Sequence, residues 1–240
     1  MSEALRWAIA YVGAYLVGSI PFGLILGLMR GVDIRQHGSG NIGATNVLRI
    51  FGKKVGALCF ALDVLKGALP VAVFGWWLGA LGAEDLSAGR AWAWMGVAAA
   101  AVAGHMFSPW IGFKGGKGVA TGFGAMLGMW PFTTVPALLA LAVFGVSARL
   151  TRYVGISSCF AAASLPVWAA LARFSGLVGD VNDGGRLENT LRGWPHIAAT
   201  ALLGAVVIWK HRGNIRRTLA GTERRIGERI NTGAAGPDRA

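Results

Sequence analysis

Gly112-Phe-Lys-Gly-Gly-Lys-Gly-Val-Ala-Thr121 sets two lysines and four glycines into ten residues, between two segments that are otherwise almost wholly apolar. As an interruption of apolar sequence it reads as a link between membrane helices. As a loop in its own right it suggests a ligand. Glycine lets backbone N–H groups turn towards a bound group at close range, and lysine adds a mobile positive charge, so the run suits an oxyanion such as phosphate. A polar turn between two helices, its lysines marking the cytoplasmic side of a membrane, is the plainer alternative. The run is not a nucleotide-binding Walker loop, because Ile111 stands where the first glycine belongs and Gly118 where the Ser/Thr belongs.

The flanking composition is that of a membrane protein. Of 240 residues 54% are hydrophobic and only 14% charged, with a mean hydropathy of +0.53. Ten tryptophans and 37 glycines fit membrane interfaces and close helix packing. The expected fold class is all-α, a polytopic membrane helical bundle forming one domain over residues 1–240, with a helical core over 1–225 and a basic cytoplasmic tail over 226–240. Residues 233–240 have the composition of a disordered end. The net charge of +12 does not imply nucleic acid, because the basic residues sit between and after apolar runs, where retention of positive charge on the cytoplasmic side accounts for them. Cys59 and Cys159 lie within apolar runs, outside any CxxC or Cys/His spacing, so neither a disulfide nor a metal is expected, nor any other cofactor. The first apolar run is too long for a cleaved signal.

Seven apolar runs follow one another: 7–29, 55–81, 91–110, 119–130, 131–146, 153–172 and 194–209. Pro131 and Pro136 argue for a break between the fourth and fifth. Seven transmembrane helices place the stretch 30–54, Lys114 with Lys117, Arg149 with Arg152, and the tail holding Lys210, Arg212, Arg216, Arg217, Arg224, Arg225 and Arg229 on one side. The other side receives the N-terminus and two acidic or balanced links, one with Glu84, Asp85 and Arg90, the other with Asp180, Asp183 and Glu188 against Arg173, Arg186 and Arg192. The basic side is the cytoplasmic one, so the N-terminus is expected outside and the C-terminus inside. Merging 119–146 into one crossing would put Arg149 and Arg152 outside.

Three further stretches carry polar chemistry. Residues 38–49 contain a formal GxGxxG at Gly38, Gly40 and Gly43, but a dinucleotide fingerprint needs a preceding strand, and here a membrane helix precedes it. What remains is a loop offering Ser39, Asn41, Thr45 and Asn46, with Arg49. If the chain turns helical near Ala44, Thr45 and Arg49 share a face, a hydroxyl and a guanidinium suited to clamping phosphate. A capped helix start with a snorkelling arginine is the alternative. In the run 210–223, His211 and Asn214 are three apart, offering an imidazole beside an amide. Asp63 and Lys66 lie inside the second run, where ionisable residues persist when paired with each other or beside water. His105 reads as a satisfied polar residue near the interface or as a participant in the site.

Taken together, Ser39-Gly-Asn-Ile-Gly-Ala-Thr-Asn-Val-Leu-Arg49, Gly104-His-Met-Phe107 with residues 112–121, and His211-Arg-Gly-Asn-Ile-Arg-Arg217 resemble the three signature motifs of the bacterial acyl-phosphate:glycerol-3-phosphate acyltransferase family, PlsY. Asp63-Val-Leu-Lys-Gly67 and Thr151-Arg-Tyr-Val154 resemble two lesser ones. The resemblance implies a multi-pass enzyme of the bacterial inner membrane with its active site on the cytoplasmic side. Such an enzyme moves a fatty acyl group from acyl phosphate to glycerol 3-phosphate, giving lysophosphatidic acid and phosphate in the first acylation of phospholipid synthesis. Its partners are those two substrates and membrane lipid, without acyl-CoA or acyl carrier protein. In agreement, no histidine begins the His-x4-Asp pair of acyl-CoA enzymes: the positions five beyond His37, His105, His196 and His211 are Ile42, Trp110, Ala201 and Arg216. A monomer is expected.

On this reading Ser39, Gly40, Asn41, Thr45, Asn46, Arg49, Lys114, Gly115, Gly116 and Lys117 bind substrate phosphate. His211, Asn214 and Lys117 serve catalysis, and Asp63, Lys66, His105 and Ser158 support them. One departure stands out: where the family implies a serine after Arg-Tyr-Val, this chain has Gly155, and the nearest hydroxyls are Ser157 and Ser158. The rival class, a transporter of phosphate or an organophosphate, would be expected to show paired repeats and broken helices meeting at mid-membrane, whereas the polar stretches here fall on one side.

Overall fold

The computed structural model describes residues 1–83, 86–182 and 184–228. Glu84 and Asp85 of the first acidic link, Asp183 of the second, and residues 229–240 of the basic tail, including Arg229, lie outside the described residues. The described chain is all-helical and has no strand. Its α-helices are α1 (Glu3–Gly18), α2 (Phe22–Leu28), α3 (Ala44–Phe51), α4 (Lys53–Trp77), α5 (Ala88–Met106), α6 (Val119–Leu127), α7 (Thr134–Thr151), α8 (Val154–Phe174), α9 (Gly185–Arg192), α10 (Trp194–Lys210) and α11 (Arg212–Leu219).

Local chemistry sets several of these boundaries. Ser2 and Ser87 cap α1 and α5, each hydroxyl accepting a bond from the N–H three residues on. The first apolar run breaks at Ser19–Pro21 into α1 and α2, because proline has no N–H to continue the ladder. Pro70 and Pro166 are instead carried inside α4 and α8, as membrane helices tolerate when neighbours cover the freed carbonyls.

Among the described residues four helical stretches are long and apolar enough to cross a membrane: Glu3–Leu28, Lys53–Trp77, Thr134–Thr151 and Val154–Phe174; Gly185–Arg192 with Trp194–Lys210, bent by 54°, makes a fifth if counted as one. The fourth apolar run is shorter as a helix than as a sequence. α6 has nine residues, about 13 Å at 1.5 Å per residue, and the following helix begins at Thr134 and runs on to Thr151 rather than stopping at 146.

Small residues bring the helices together. A Cβ added to Gly67 of α4 would lie 2.1 Å from the Thr121 carbonyl oxygen of α6, and one on Gly124 of α6 would lie 2.0 Å from the Val64 carbonyl oxygen of α4. α1 and α5 meet in the same way, with Gly18 against Ala101 and Gly104 against Tyr15. Such contacts suit a bilayer, where van der Waals packing rather than water exclusion joins helices. Trp94 of α5 is fully buried and donates its indole N–H to the Val71 carbonyl at 3.0 Å.

The buried charges pair, as the sequence allowed. Lys66 Nζ lies 2.7 Å from Asp63 Oδ1 and donates to the Ile20 carbonyl at 2.8 Å. That carbonyl belongs to the interruption between α1 and α2, so the break supplies one of the ligands of the lysine. His105 Nδ1 stands 3.7 Å from the same Asp63 oxygen.

Gly67→Ala is expected to lower the stability of the detergent-solubilised protein by roughly 1–3 kcal/mol, because backbone has to yield. Gly122→Ala, whose new Cβ would meet only side-chain atoms at 3.6 Å or more, is expected to leave it unchanged within about 0.5 kcal/mol. Thermal unfolding of the two variants side by side checks the difference.

Candidate functional site

After α5 the chain folds back on its own helix end. Gly115 donates its N–H to the Met106 carbonyl and Gly116 to the His105 carbonyl, both at 3.1 Å. Added Cβ atoms would lie 2.0 Å from the His105 oxygen at Gly115 and 2.1 Å from His105 Nε2 at Gly116. These two glycines therefore allow the loop to press against α5, and the expectation that their N–H groups face an anion is corrected: both are spent on carbonyls. Gly118, at φ 79°, provides the left-handed residue from which α6 starts. Lys114 is exposed, whereas Lys117 is partly buried.

Lys117 is where the separate stretches meet. Its ammonium donates a short bond to Asn214 Oδ1. Asn214 in turn donates through Nδ2 to Glu223 Oε1 at 2.8 Å, and Glu223 Oε2 accepts from Arg217 Nε at 2.7 Å. Arg49 completes the group, 3.6 Å from Glu223 Oε1 and donating to the Arg224 carbonyl at 3.2 Å. Three cations from α3, the 112–118 loop and α11 thus surround one buried carboxylate and one amide. Glu223 is brought there by a turn in which its own N–H and that of Thr222 donate to the Arg217 carbonyl. The chain end is then tied to the α7–α8 link, with Ile226 N–H donating to the Arg152 carbonyl at 2.8 Å and the Arg152 guanidinium returning a bond at 3.3 Å.

Burial sets the protonation of the group. It is the largest influence on Lys117, whose pKa falls to about 8; Glu223 opposes the fall, while Arg217 and Arg49 add to it. His211, at the junction of α10 and α11, is brought down to about 4 by burial and by the Lys117 charge. Its Nδ1 lies 2.8 Å from the Val207 carbonyl. That partner assigns the proton of the neutral ring to Nδ1 and leaves Nε2 as an acceptor.

The other expected residues divide. Thr45 is partly buried one turn before Arg49 on α3, and Ser39 and Gly40 are exposed on the loop that leads into it. Asn46 is corrected from ligand to scaffold. It is 1% exposed, accepts from Ser39 N–H at 3.0 Å, and donates to the carbonyls of Ile34 and His37 at 3.0 and 3.1 Å. Asn41 Oδ1 is likewise occupied by Gly43 N–H at 2.8 Å. Ser158 does not stand in for the serine implied at 155, because its hydroxyl bonds the Val154 carbonyl of its own helix at 2.9 Å, and that of Ser157 bonds Tyr153 in the same way. Gly155 itself packs on Asn214: an added Cβ would lie 2.6 Å from Asn214 Cβ. Asp63, Lys66 and His105 form a second buried cluster, which reaches the loop through the His105 ring under Gly116. Glu223 was not expected. Its one signal is a carboxylate standing between Arg217 and Arg224 in a basic run.

Apolar helices with polar chemistry gathered where α4, α6 and α8 begin and α5, α7 and α10 end define an integral membrane protein with a cationic cluster around Glu223 at one end of its bundle. The glycerol-3-phosphate acyltransferase family profile matches residues 8–221, and the chain belongs to that family. It is 43% identical over 223 residues to the glycerol-3-phosphate acyltransferase of Trichlorobacter lovleyi, covering 93% of this chain and 97% of that one. It is also 43% identical over 214 residues to that of Geobacter sulfurreducens, covering 89% and 94%. Among solved structures it is similar to PlsY (YgiH), an integral membrane glycerol 3-phosphate acyltransferase, in its glycerol 3-phosphate form, with a TM-score of 0.73 and 36% identity over 92% of this chain and 96% of that one. The lysophosphatidic acid form of PlsY (YgiH) gives a TM-score of 0.71 with 35% identity.

Gly155→Ala is expected to displace Asn214 and lower acyltransferase turnover about 10- to 100-fold, while Ser158→Ala stays near wild type. Steady-state kinetics of the two variants in detergent tests this assignment.

Proposed function

We propose that this chain transfers a fatty acyl group from acyl phosphate to the sn-1 hydroxyl of glycerol 3-phosphate, releasing lysophosphatidic acid and inorganic phosphate as the first acylation of phospholipid synthesis. The observation that carries the reading is the meeting of Lys117, Asn214, Arg49 and Arg217 around Glu223, with His211 adjoining, at one end of an apolar bundle. Both substrates bear phosphate, and the donor also bears an apolar chain, so a cationic cluster bordered by membrane helices suits them together. The glycerol 3-phosphate and lysophosphatidic acid forms of the similar PlsY (YgiH) structures supply the acceptor and the product.

Acyl phosphate is a mixed anhydride with a good leaving group, so direct attack suffices once the partners are held in place. Arg49, with Thr45 on the same face, grips one phosphate, and Lys117 stabilises the charge that develops as phosphate departs. The acceptor hydroxyl donates a hydrogen bond to His211 Nε2. Its oxygen bonds to the acyl carbon, the bond from that carbon to the phosphate oxygen breaks, and the hydroxyl proton ends on the released phosphate. With a second pKa of about 6 for a phosphate monoester as a guide, phosphate is a stronger base than an imidazole held near 4. No cofactor, acyl-CoA or acyl carrier protein takes part.

The same reading places the monomeric chain in the bacterial inner membrane, with the cluster cytoplasmic, the N-terminus outside and the C-terminus inside. The seven crossings are α1 with α2, α4, α5, the short α6, α7, α8 and α10. The lysines and arginines of 30–54, 114–117, 149–152 and 210–228 support that orientation.

Purified protein in detergent, given acyl phosphate and glycerol 3-phosphate, is expected to release phosphate and form lysophosphatidic acid, whereas a transporter would do neither. In folded protein Arg49→Ala is expected to raise the KM for glycerol 3-phosphate at least about tenfold, the loss of a charge-assisted contact; an unchanged KM removes Arg49 from the clamp. Lys117 holds its proton below about 8, so kcat/KM, which reports free-enzyme groups, is expected to fall as pH rises through that value. In Lys117→Arg, which stays charged across the range, this fall disappears.

A further inference from the structure

At the end of the bundle opposite Lys117, where α1 and α5 begin and α4 ends, lies a pocket of about 390 Å³ lined by Met1, Glu3 and Arg6, by Trp77 and Leu78, and by Arg90. Arg90 donates through Nη2 to the Leu78 carbonyl at the end of α4, which fixes its guanidinium at the pocket and leaves further N–H groups for a ligand. Glu3 and Arg6 stand three apart on α1, both exposed. Among the described residues the Arg6 guanidinium has no polar partner, and the Glu3 carboxylate accepts only the Trp7 indole N–H, at 3.4 Å.

Two features place this pocket among lipid head groups. Trp76 and Trp77 are 73% and 36% exposed at the end of an apolar helix of 25 residues, and exposed tryptophans mark the depth at which a helix leaves the hydrocarbon. The second is the charge itself. Retention of positive charge on the cytoplasmic side accounts for the basic stretches at the Lys117 end, but not for two arginines that converge on one pocket at the other.

We infer that this pocket binds the head group of a membrane phospholipid that carries a primary ammonium, with its phosphodiester between Arg6 and Arg90 and its ammonium on Glu3. Guanidinium groups match phosphate oxygens in geometry as well as in charge. Side chains three apart on a helix are neighbours, with Cβ atoms about 5–6 Å apart, a spacing that the two-carbon link of an ethanolamine head group spans. Trp77 and Leu78 offer apolar surface to the glycerol and the first methylenes of the chains. The inference does not depend on the acyl-transfer reading, because no residue of the Lys117 cluster takes part in it.

The test uses the purified full chain in detergent, titrated with dioleoyl phosphatidylethanolamine, phosphatidylcholine or phosphatidylglycerol, with apparent affinity read from the rise in Tm with lipid concentration. The ethanolamine lipid is expected to bind about two- to fivefold more tightly than the other two, since the choline nitrogen has no N–H to donate and the glycerol head group has no cation. Arg6→Gln is expected to weaken all three by about the same factor. Glu3→Gln is expected to abolish the preference for ethanolamine over choline, and both variants are expected to keep the wild-type acyltransferase rate, which also shows that they fold. Equal affinities in the wild type, or tightest binding of the glycerol lipid, would overturn the ethanolamine assignment whatever the variants do. If the ranking is as expected but neither variant changes it, the lipid binds elsewhere and the pocket is wrongly assigned. Water-soluble glycerophosphoethanolamine binding as tightly as the lipid would make this a site for a soluble phosphodiester and not for a membrane one.

Discussion

The whole arrangement depends on backbone touching backbone. In a bilayer, helices gain nothing by hiding apolar surface from water, so they associate where small residues let them approach most closely. Gly67 and Gly124 do this for α4 and α6, and Gly18 and Gly104 for α1 and α5, each leaving no space for a methyl group. α4 continues from α3, which carries Arg49, and α6 begins just after Lys117. The approach of α4 to α6 therefore brings together two polar stretches that are far apart in sequence. Larger residues at these positions would separate the charges as well as the helices.

A buried electrostatic chain runs beneath this framework. Lys66 holds both Asp63 and the carbonyl freed at the break between α1 and α2, Asp63 faces His105, and His105 supports Gly116. A pair of opposite charges at membrane depth contributes little net stability, but removing either partner leaves the other uncompensated. Its consequence is positional: the interruption between α1 and α2, the middle of α4 and the end of α5 are locked in one register beneath the lysine loop.

Much of this could be read from the sequence, and what could not has physical reasons. The apolar runs, the Asp63–Lys66 pair and the grouping of Arg49, Lys117 and Asn214 were legible, because polar residues in a membrane protein stand out against their surroundings. The glycines were harder. A glycine in a loop serves either to expose an N–H group or to let backbone pass close by, and only coordinates separate these for Gly115 and Gly116. Asn46 was misread for a related reason: its amide looks like a ligand until the carbonyls of Ile34 and His37 are seen to need it. Glu223 was overlooked because an acid in a basic run reads as solvated, and only the turn at Thr222 shows it buried among arginines.

The docking of the 223–226 stretch on Arg49 and Arg152 bears on how the molecule is made. Arg49 leaves the ribosome early, while Asn214 and Glu223 follow the last apolar helix. Until that helix has been inserted, the early guanidinium has no carboxylate and Lys117 no amide. A growing polypeptide therefore carries an incomplete cluster through nearly the whole of its synthesis, and biogenesis itself defers assembly of the charged pocket until the final segment is in place.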